Sequence, residues 1–265
     1  MPECQSDSIT QTILEAINFI RSANDNRNDM FSGKYGRTYH YPFSPGTTSD
    51  DRIAHDYWSD LQKIQTLIHT EKLDGENNCM NKRGVFARSH AAPTTSPWTA
   101  TLREFWHRVK GELGELEIFL ENLYAVHSIE YRALDHHFYV FAIREGEKWL
   151  SWEEVKFYAA MLDLPTVPEI AIEKTPASKI KFEQDIVEMV NSAGVLDPVD
   201  TVTGKPCTME GIVSRNADAF STQAFSHNVL KWVCKGHVKT DEHWTRHWRR
   251  ARLKPEGGHH VDIDR

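Results

Sequence analysis

Cysteine is scarce in this 265-residue chain, and its placement excludes two chemistries at once. Cys4, Cys79, Cys207 and Cys234 lie far apart, with no C-x-x-C pair. They supply neither a disulfide framework nor a thiolate zinc site, and the pattern suits a reducing cytoplasm. The chain also lacks any apolar run near the roughly 20 residues of a membrane helix, and its first residues do not read as a signal peptide. Basic charge is not in excess: 31 Lys and Arg against 38 Asp and Glu leave a net charge of −7. A nucleic-acid partner would therefore have to meet local patches rather than a uniformly basic surface. Repeats and low-complexity tracts are missing too. What remains is an ordinary globular composition, long enough for one large or two small domains.

Hydrophobic spacing sketches the elements. Ile9, Ile13, Ala16, Ile17 and Ile20 recur at helical spacing over 8–22, behind Asp7 and Ser8, and the polar stretch 23–30 reads as a linker. Asp50 or Asp51 can cap a helix over 51–68, with Ile53, Tyr57, Leu61, Ile64 and Ile68 on one face. Residues 70–79 and 85–90 read as a hairpin turning at Asn81–Gly84. Further helices are expected over 98–110, 151–162 and 179–191, and a basic helix over 241–254. Strands are expected at 115–119, 123–130, 137–143, 208–215 and 228–234. Strands in runs, with helices between some of them, predict an α+β fold with antiparallel sheets. The organisation is then an N-terminal helix and linker (1–30), a main domain (31–240), and a basic C-terminal helix and tail (241–265).

Several polar residues stand where strands should be apolar. Lys72 lies in TEKLDGEN (70–77). A lysine amine is a poor nucleophile until desolvation or neighbouring positive charge lowers its pKa, and taken alone Lys72 also fits a solvated turn. Lys231 lies between Leu230 and Trp232, where an ammonium is awkward to bury without a partner. Glu121 and Glu210 each border an apolar strand, where a carboxylate can hold a hydroxyl and a hydrated divalent ion, or simply mark a strand edge. The stretch KYGRTYHYPFSPGTTSDD (34–51) offers Lys34, Arg37, Tyr39 and His40 to phosphate, or packs as a loop through its aromatics.

TEKLDGEN is followed in order by GVFARSHAAPTTSPW (84–98), LENLYAVHSIEY (120–131), FYVFAI (138–143), EGIVSR (210–215) and VLKWVCKGHV (229–238). Together these segments resemble the ordered motifs of the covalent nucleotidyltransferases, the polynucleotide ligases and mRNA capping enzymes, over about residues 34–240. They look most like the nick-sealing branch of the ATP-dependent RNA ligases, and are similar to bacterial and protist ligases carrying GENLYAVHSI and LKWVRKGHV. The resemblance implies a nucleotidyltransferase fold of two antiparallel sheets flanked by helices. It implies ATP, a Mg²⁺ or Mn²⁺ cofactor, and RNA ends or nicked duplex as partner, handled by a monomer. Lys72 would be the nucleophile that forms a lysyl-AMP. Lys231 and Lys235 would neutralise the α-phosphate and help lower the pKa of Lys72. Glu121 would contact the ribose and serve the metal with Glu210. Phe141 would stack on the adenine, although Tyr139 shares its face. Arg88 would contact the nucleotide or the RNA end, and Glu71 and Asn77 would read the base edge or a phosphate. The implied reaction joins a 5′-phosphate to a 3′-hydroxyl through lysyl-AMP and RNA-adenylate, as in RNA repair.

The sequence departs from the family pattern at Leu120, Ala142 and Cys234, and in the spacing of Lys231 and Lys235. Its ends are expected to be too short for the extra domains of similar ligases. Two other readings use the same residues: a lysine-dependent nucleotidyltransferase of capping or protein-modifying type, and an RNA-binding module without chemistry. Intact Lys72, Glu121, Glu210 and Lys231 argue against the last. Arg246, Arg249 and Arg250 alternate with Trp244 and Trp248 in the tail, which suits tryptophans packed inward and arginines presented to RNA, with Arg37 as a further contact. His237, His243 and His247 lack a cysteine at ligand spacing and read as polar surface or phosphate contacts rather than a metal site.

Overall fold

The computed structural model describes residues 34–88, 92–235 and 248–254. In chain order the strands are β1 (Tyr39–His40), β2 (Thr66–Lys72), β3 (Glu76–Asn81), β4 (Gly84–Ala87), β5 (Leu116–Asn122), β6 (Ile129–Tyr131), β7 (Phe138–Glu145), β8 (Lys148–Trp149), β9 (Glu169–Lys174), β10 (Pro198–Asp200), β11 (Gly211–Asn216), β12 (Phe220–Ser221) and β13 (Val229–Val233). The helices are α1 (Tyr57–Leu61), α2 (Ala100–Val109), α3 (Trp152–Met161), α4 (Lys179–Val190) and α5 (Phe225–Asn228). Two main sheets run in the order β1-β13-β11-β2-β9 and β12-β8-β7-β5-β3-β4, and β6 pairs with β10 in a separate ribbon. Within the first sheet β1 joins β13 in parallel, and the other neighbours are antiparallel.

Alternation decides which residues meet. Leu230 and Trp232 of β13, Ile212 of β11 and Leu67 of β2 share a core with Phe182, Ile186 and Val190 of α4, whose i, i+4, i+8 spacing makes one apolar stripe. The opposite face of the first sheet turns Val213 and Val229 toward Phe119, Ala142 and Trp149 of the second. The second sheet's remaining core takes in Leu102 of α2 and Trp152, Val155 and Ala159 of α3. A capping box starts α3: Ser151 Oγ accepts from Glu154 N, and Ser151 N donates to the Glu154 carboxylate at 2.7 Å. Helices expected at 98–110, 151–162 and 179–191 therefore stand as α2, α3 and α4.

Four expectations need correction. The helix expected over 51–68 is only α1, and from Thr66 the chain is β2. Leu67, Ile68 and His69 are all buried between β11 and β9, and a short run buried on both faces has no period that separates strand from helix. The hairpin is the shorter β3–β4 pair, with Asn81 opposite Gly84 as expected, but Lys72 belongs to β2 in the other sheet. The strand expected at 123–130 is reduced to β6, entering at Ile129.

The described part of the tail helix is not helical. Val126 N donates to Arg249 O (3.0 Å) and Ala251 N to Tyr124 O (2.8 Å), so groups a helix would pair internally are spent on the segment after β5. Residues 241–247 lie outside the described residues, as do Arg246, the expected N-terminal helix and its linker. No helix among the described residues is long and apolar enough to cross a membrane.

Candidate active site

Thr70 and Lys72 leave β2 on one face, and Glu71 leaves it on the other. The register carries the first face across the sheet: Thr70 lies opposite Val213, Val213 opposite Lys231, and Lys72 opposite Gly211. Thr70, Lys72, Val213, Arg215, Val229 and Lys231 accordingly line one cavity of about 400 Å³ between the sheets. The second sheet contributes Asn77 from β3, Glu121 from β5 and Phe141 from β7. Arg88, exposed just past β4, also borders it.

Two glycines permit this approach. A Cβ on Gly75 would fall 2.7 Å from Asn122 O, where the chain crosses from β2 to β3. Gly75 N donates to Glu121 Oε1 at 3.0 Å, which fixes the carboxylate beside that crossing. A Cβ on Gly211 would lie 2.1 Å from Trp232 O. Glycine there lets β11 and β13 close up, with Glu210 one residue before the partner of Lys72.

Phe141 reaches the cavity through a bulge. Ala142 pairs with Phe119 and Val140 with Leu120, so Phe141 is the extra residue of β7. It is half-buried, whereas Tyr139 is buried and its hydroxyl accepts from Asp135 N. Arg215 fixes the bulge from the other sheet. Its Nη1 donates to Phe141 O (3.0 Å) and its Nη2 to Leu150 O (3.0 Å), with Trp152 beneath the guanidinium. Burial lowers the Arg215 pKa to about 10.

Lys72 Nζ donates to both oxygens of Glu210, at 2.7 and 2.6 Å. Burial alone would lower its pKa, but Glu210 and then Glu121 oppose this, and the result lies above the ordinary lysine value. The sequence-based expectation was the reverse, a Lys72 pKa lowered by its cationic neighbours. Carboxylate contact outweighs them here. Lys231 is the depressed lysine: burial and the Lys72 charge lower it, against the pull of Asp51 at 3.7 Å. Glu121 rises to about 8, chiefly through burial, with Lys72 opposing and Glu210 adding to the shift.

Most expected site residues meet at this cavity. Lys72, Asn77, Arg88, Glu121, Phe141 and Lys231 border it, and Glu210 joins them through Lys72. Glu71 borders it in position, but its carboxylate turns to the other face and accepts from Val195 N at 2.9 Å. Lys235 does not line it: β13 ends at Val233, and Lys235 is exposed in the turn beyond. Arg37 is exposed and donates to Asp50 O, while Arg249 pairs with Glu130 at 2.7 and 2.6 Å. His40 is buried, so segment 34–51 packs as a loop there rather than presenting its histidine to phosphate. Tyr35, His127 and Arg215 line the cavity without having been singled out. For Arg215 the available signal was a charge inside the apolar run EGIVSR.

Glu210 and Glu121 fit a divalent ion in donor chemistry: both offer hard carboxylate oxygens, and Glu210 raises the cost of charging Glu121. Among the described residues no group of three or more His, Cys, Asp or Glu is placed to hold a metal by itself. An ion here would draw further ligands from phosphate and water, as Mg²⁺ commonly does.

The RNA ligase family model matches residues 65–233, more than half of the chain and all of this cavity except the segment before β2. The chain belongs to the RNA ligase family. Its mixed α+β architecture is that of the ligase nucleotidyltransferases. A variant of the Naegleria gruberi RNA ligase with ATP and Mn has a TM-score of 0.50 and 16% identity over 82% of this chain and 60% of that one. An archaeal ATP-dependent RNA ligase has a TM-score of 0.47 and 13% identity, over 76% and 48% of the two chains. A putative ATP-dependent DNA ligase from Aquifex aeolicus has a TM-score of 0.47 and 16% identity, over 78% and 51%. This RNA ligase family chain thus spans about half to three fifths of the solved ligases it matches. No curated protein matches it.

Proposed function

We propose that this RNA ligase family member uses ATP to join a 5′-phosphate to a 3′-hydroxyl of RNA, with Lys72 as the adenylated residue. The observation that carries the reading is Lys72 held on Glu210 in a cavity that Lys231, Arg88, Arg215 and Glu121 also line. Phe141 and Val213 lie on opposite sheets and give an adenine two apolar faces. In this reading Glu121, beside Gly75, would contact the ribose hydroxyls, and Lys231 and Arg88 the phosphates.

Lys72 Nζ attacks the α-phosphorus of ATP. The N–P bond forms as the bond to the β-phosphate oxygen breaks, and pyrophosphate leaves. The proton that Nζ must shed faces Glu210, the acceptor in contact with it. Lys231 balances charge that develops on the α-phosphate oxygens, the kind of preorganised contact that transition states favour over ground states. A bound Mg²⁺ or Mn²⁺ would add electrostatic neutralisation of the phosphate oxygens, with Glu210 and Glu121 as its protein ligands. A 5′-phosphate oxygen of RNA then takes the AMP from Lys72, which regains its amine. Attack of the 3′-hydroxyl on that 5′-phosphate releases AMP and closes the strand.

The test is incubation with α-labelled ATP and Mg²⁺ or Mn²⁺, then transfer to 5′-phosphorylated RNA. Label should reside on Lys72 through an acid-labile phosphoramide, be absent from Lys72→Ala, and pass to RNA. Labelling by GTP alone would instead point to a capping-type enzyme. Undiminished labelling of Lys72→Ala would overturn the assignment.

A further inference from the structure

The loop between β1 and α1 is tied to β13 at several points, and Lys231 is the residue at the centre of the ties. His40 lies opposite Lys231 in the parallel pair, and Tyr41 N donates to Lys231 O at 2.9 Å. Val233 N donates to Ser44 Oγ at 3.0 Å, and Gly46 N to Val233 O at 2.9 Å. A Cβ on Gly46 would come within 2.3 Å of Cys234 O, so the loop lies directly on the strand.

The loop then delivers one carboxylate to the lysine. Asp51 Oδ2 accepts from Thr48 N (2.9 Å) and Thr48 Oγ1 (3.0 Å). Its Oδ1 lies 3.1 Å from His40 Nε2 and 3.7 Å from Lys231 Nζ. His40 Nδ1 is 3.1 Å from Ser44 Oγ, whereas His40 Nε2 lies near Asp51 Oδ1 without the alignment of a hydrogen bond. The imidazole thus packs against the carboxylate, and Thr48 supplies the carboxylate's hydrogen bonds.

We propose that Asp51 is a positioning residue for adenylyl transfer: it holds the Lys231 ammonium at the cavity wall, while Thr48 fixes the Asp51 carboxylate and His40 packs against it. The proposal rests on the reading of Lys72 as the adenylated residue.

Lys231 needs such a partner. Burial, Lys72 and Arg88 all disfavour its charged form, and Asp51 and Glu210 are the groups that favour it. Glu210 is already in contact with Lys72. His40 adds no competing charge near neutral pH, because burial and then Lys231 depress its pKa to about 4, against the pull of Asp51. Without Asp51, the amine would either lose its proton or turn away from two cations.

The experiment compares wild type, Asp51→Asn and Asp51→Glu. In ATP-free protein near pH 8, competitive acetylation read by mass spectrometry reports the neutral fraction of each lysine. Asp51→Asn should raise the reactivity of Lys231 by about threefold or more, since one pKa unit is tenfold in that fraction. Exposed lysines such as Lys63 and Lys148 should keep theirs, and Asp51→Glu, which retains the charge, should keep Lys231 unreactive. In single-turnover adenylation, Asp51→Asn should slow lysyl-AMP formation about tenfold at saturating ATP, with half-saturation within about twofold of wild type, as expected for a contact used at the transition state. Unchanged Lys231 reactivity in Asp51→Asn overturns the proposal, whatever happens to the rate, and would make Asp51 a loop residue. Failure of the wild type to accept AMP would instead sink the ligase reading, while the acetylation arm would still test the Asp51–Lys231 pair.

Discussion

The Lys72 ammonium rests on the Glu210 carboxylate, a contact between residues 138 positions apart, with Nζ lying 2.7 Å from one oxygen and 2.6 Å from the other. It keeps the proposed nucleophile charged in the ATP-free protein. Glu210→Gln should therefore act in opposite directions in two assays. It should lower the Lys72 pKa and make the amine more reactive toward acetylating reagents. It should also slow adenylation by about 10²–10³, the usual cost of losing one electrostatic contact at a transition state. Near-wild-type adenylation would leave Glu210 as a counter-ion without a catalytic role.

The same contact sets a pH dependence. Only the neutral amine attacks, and the Lys72 pKa lies above the ordinary lysine value. For adenylation, kcat/KM reports ionisations of the free enzyme and should climb with pH through the alkaline range. A plateau beginning below about pH 8 would contradict a charged, Glu210-bound Lys72 as the starting state.

Glu121 makes a prediction about stability. Its folded pKa is about 8, above the ordinary carboxylate value, with burial as the main cause. Between the two values the folded chain binds more protons than the unfolded one, so this group's contribution falls as pH rises from about 4.5 to 8. Glu121→Gln removes that titration. The variant should melt higher than wild type at pH 8, by about 2–4 °C per kcal/mol relieved, and the gap should close toward pH 5. Calorimetry or circular dichroism across that range checks it. A gap that widens in acid would mean that Glu121 is stabilised as the carboxylate.

Arg249 and Arg250 are neighbours with different commitments. Arg249 pairs with Glu130 through two nitrogens, and such exposed pairs are worth about 0.2–1 kcal/mol. Arg250 lies over the Tyr124 ring, 5.3 Å from its centroid, on an exposed stretch. Arg249→Ala should lower the melting temperature slightly and leave the salt dependence of RNA binding unchanged. Arg250→Ala should flatten the logarithmic salt slope by about 0.7–0.9, one phosphate contact. Salt titrations of both variants with the same RNA separate the two roles, and equal slopes would remove Arg250 from the RNA surface.

Parts of this arrangement could be read along the chain. The amphipathic helices α2, α3 and α4 are local features, and so are the polar residues embedded in apolar strands, Lys231 and Glu210 among them. The family-ordered motifs added Lys72, Glu121 and Phe141. What escaped depends on pairing at a distance. The start of β2, residues 66–68, fell inside the expected helix because a run buried on both faces shows no strand period. β9 forms only as an edge of β2, with Ile172 left 57% exposed, so it carries no clean alternation of buried and exposed residues. Asp51 read as a helix cap until β1 laid it beside Lys231. The lowered-pKa expectation for Lys72 counted the lysines near it but not the carboxylate that the β2–β11 register would bring against it.

The extra residue in β7 has a consequence for how freely this site can change. Phe141 lies outside the β5 register, and Arg215 rather than the ladder takes up its carbonyl. Its ring is only half-buried and meets the Tyr35 ring edge-on at the cavity, so an exchange there is felt by the cavity more than by the ladder. Phe141→Leu should weaken nucleotide binding severalfold while moving the melting temperature little, and a large loss of stability would show that the ring is core. If Phe141 is the adenine contact proposed above, this mounting leaves base preference open to drift by single substitutions, while the neighbouring positions that hold the sheet together remain constrained.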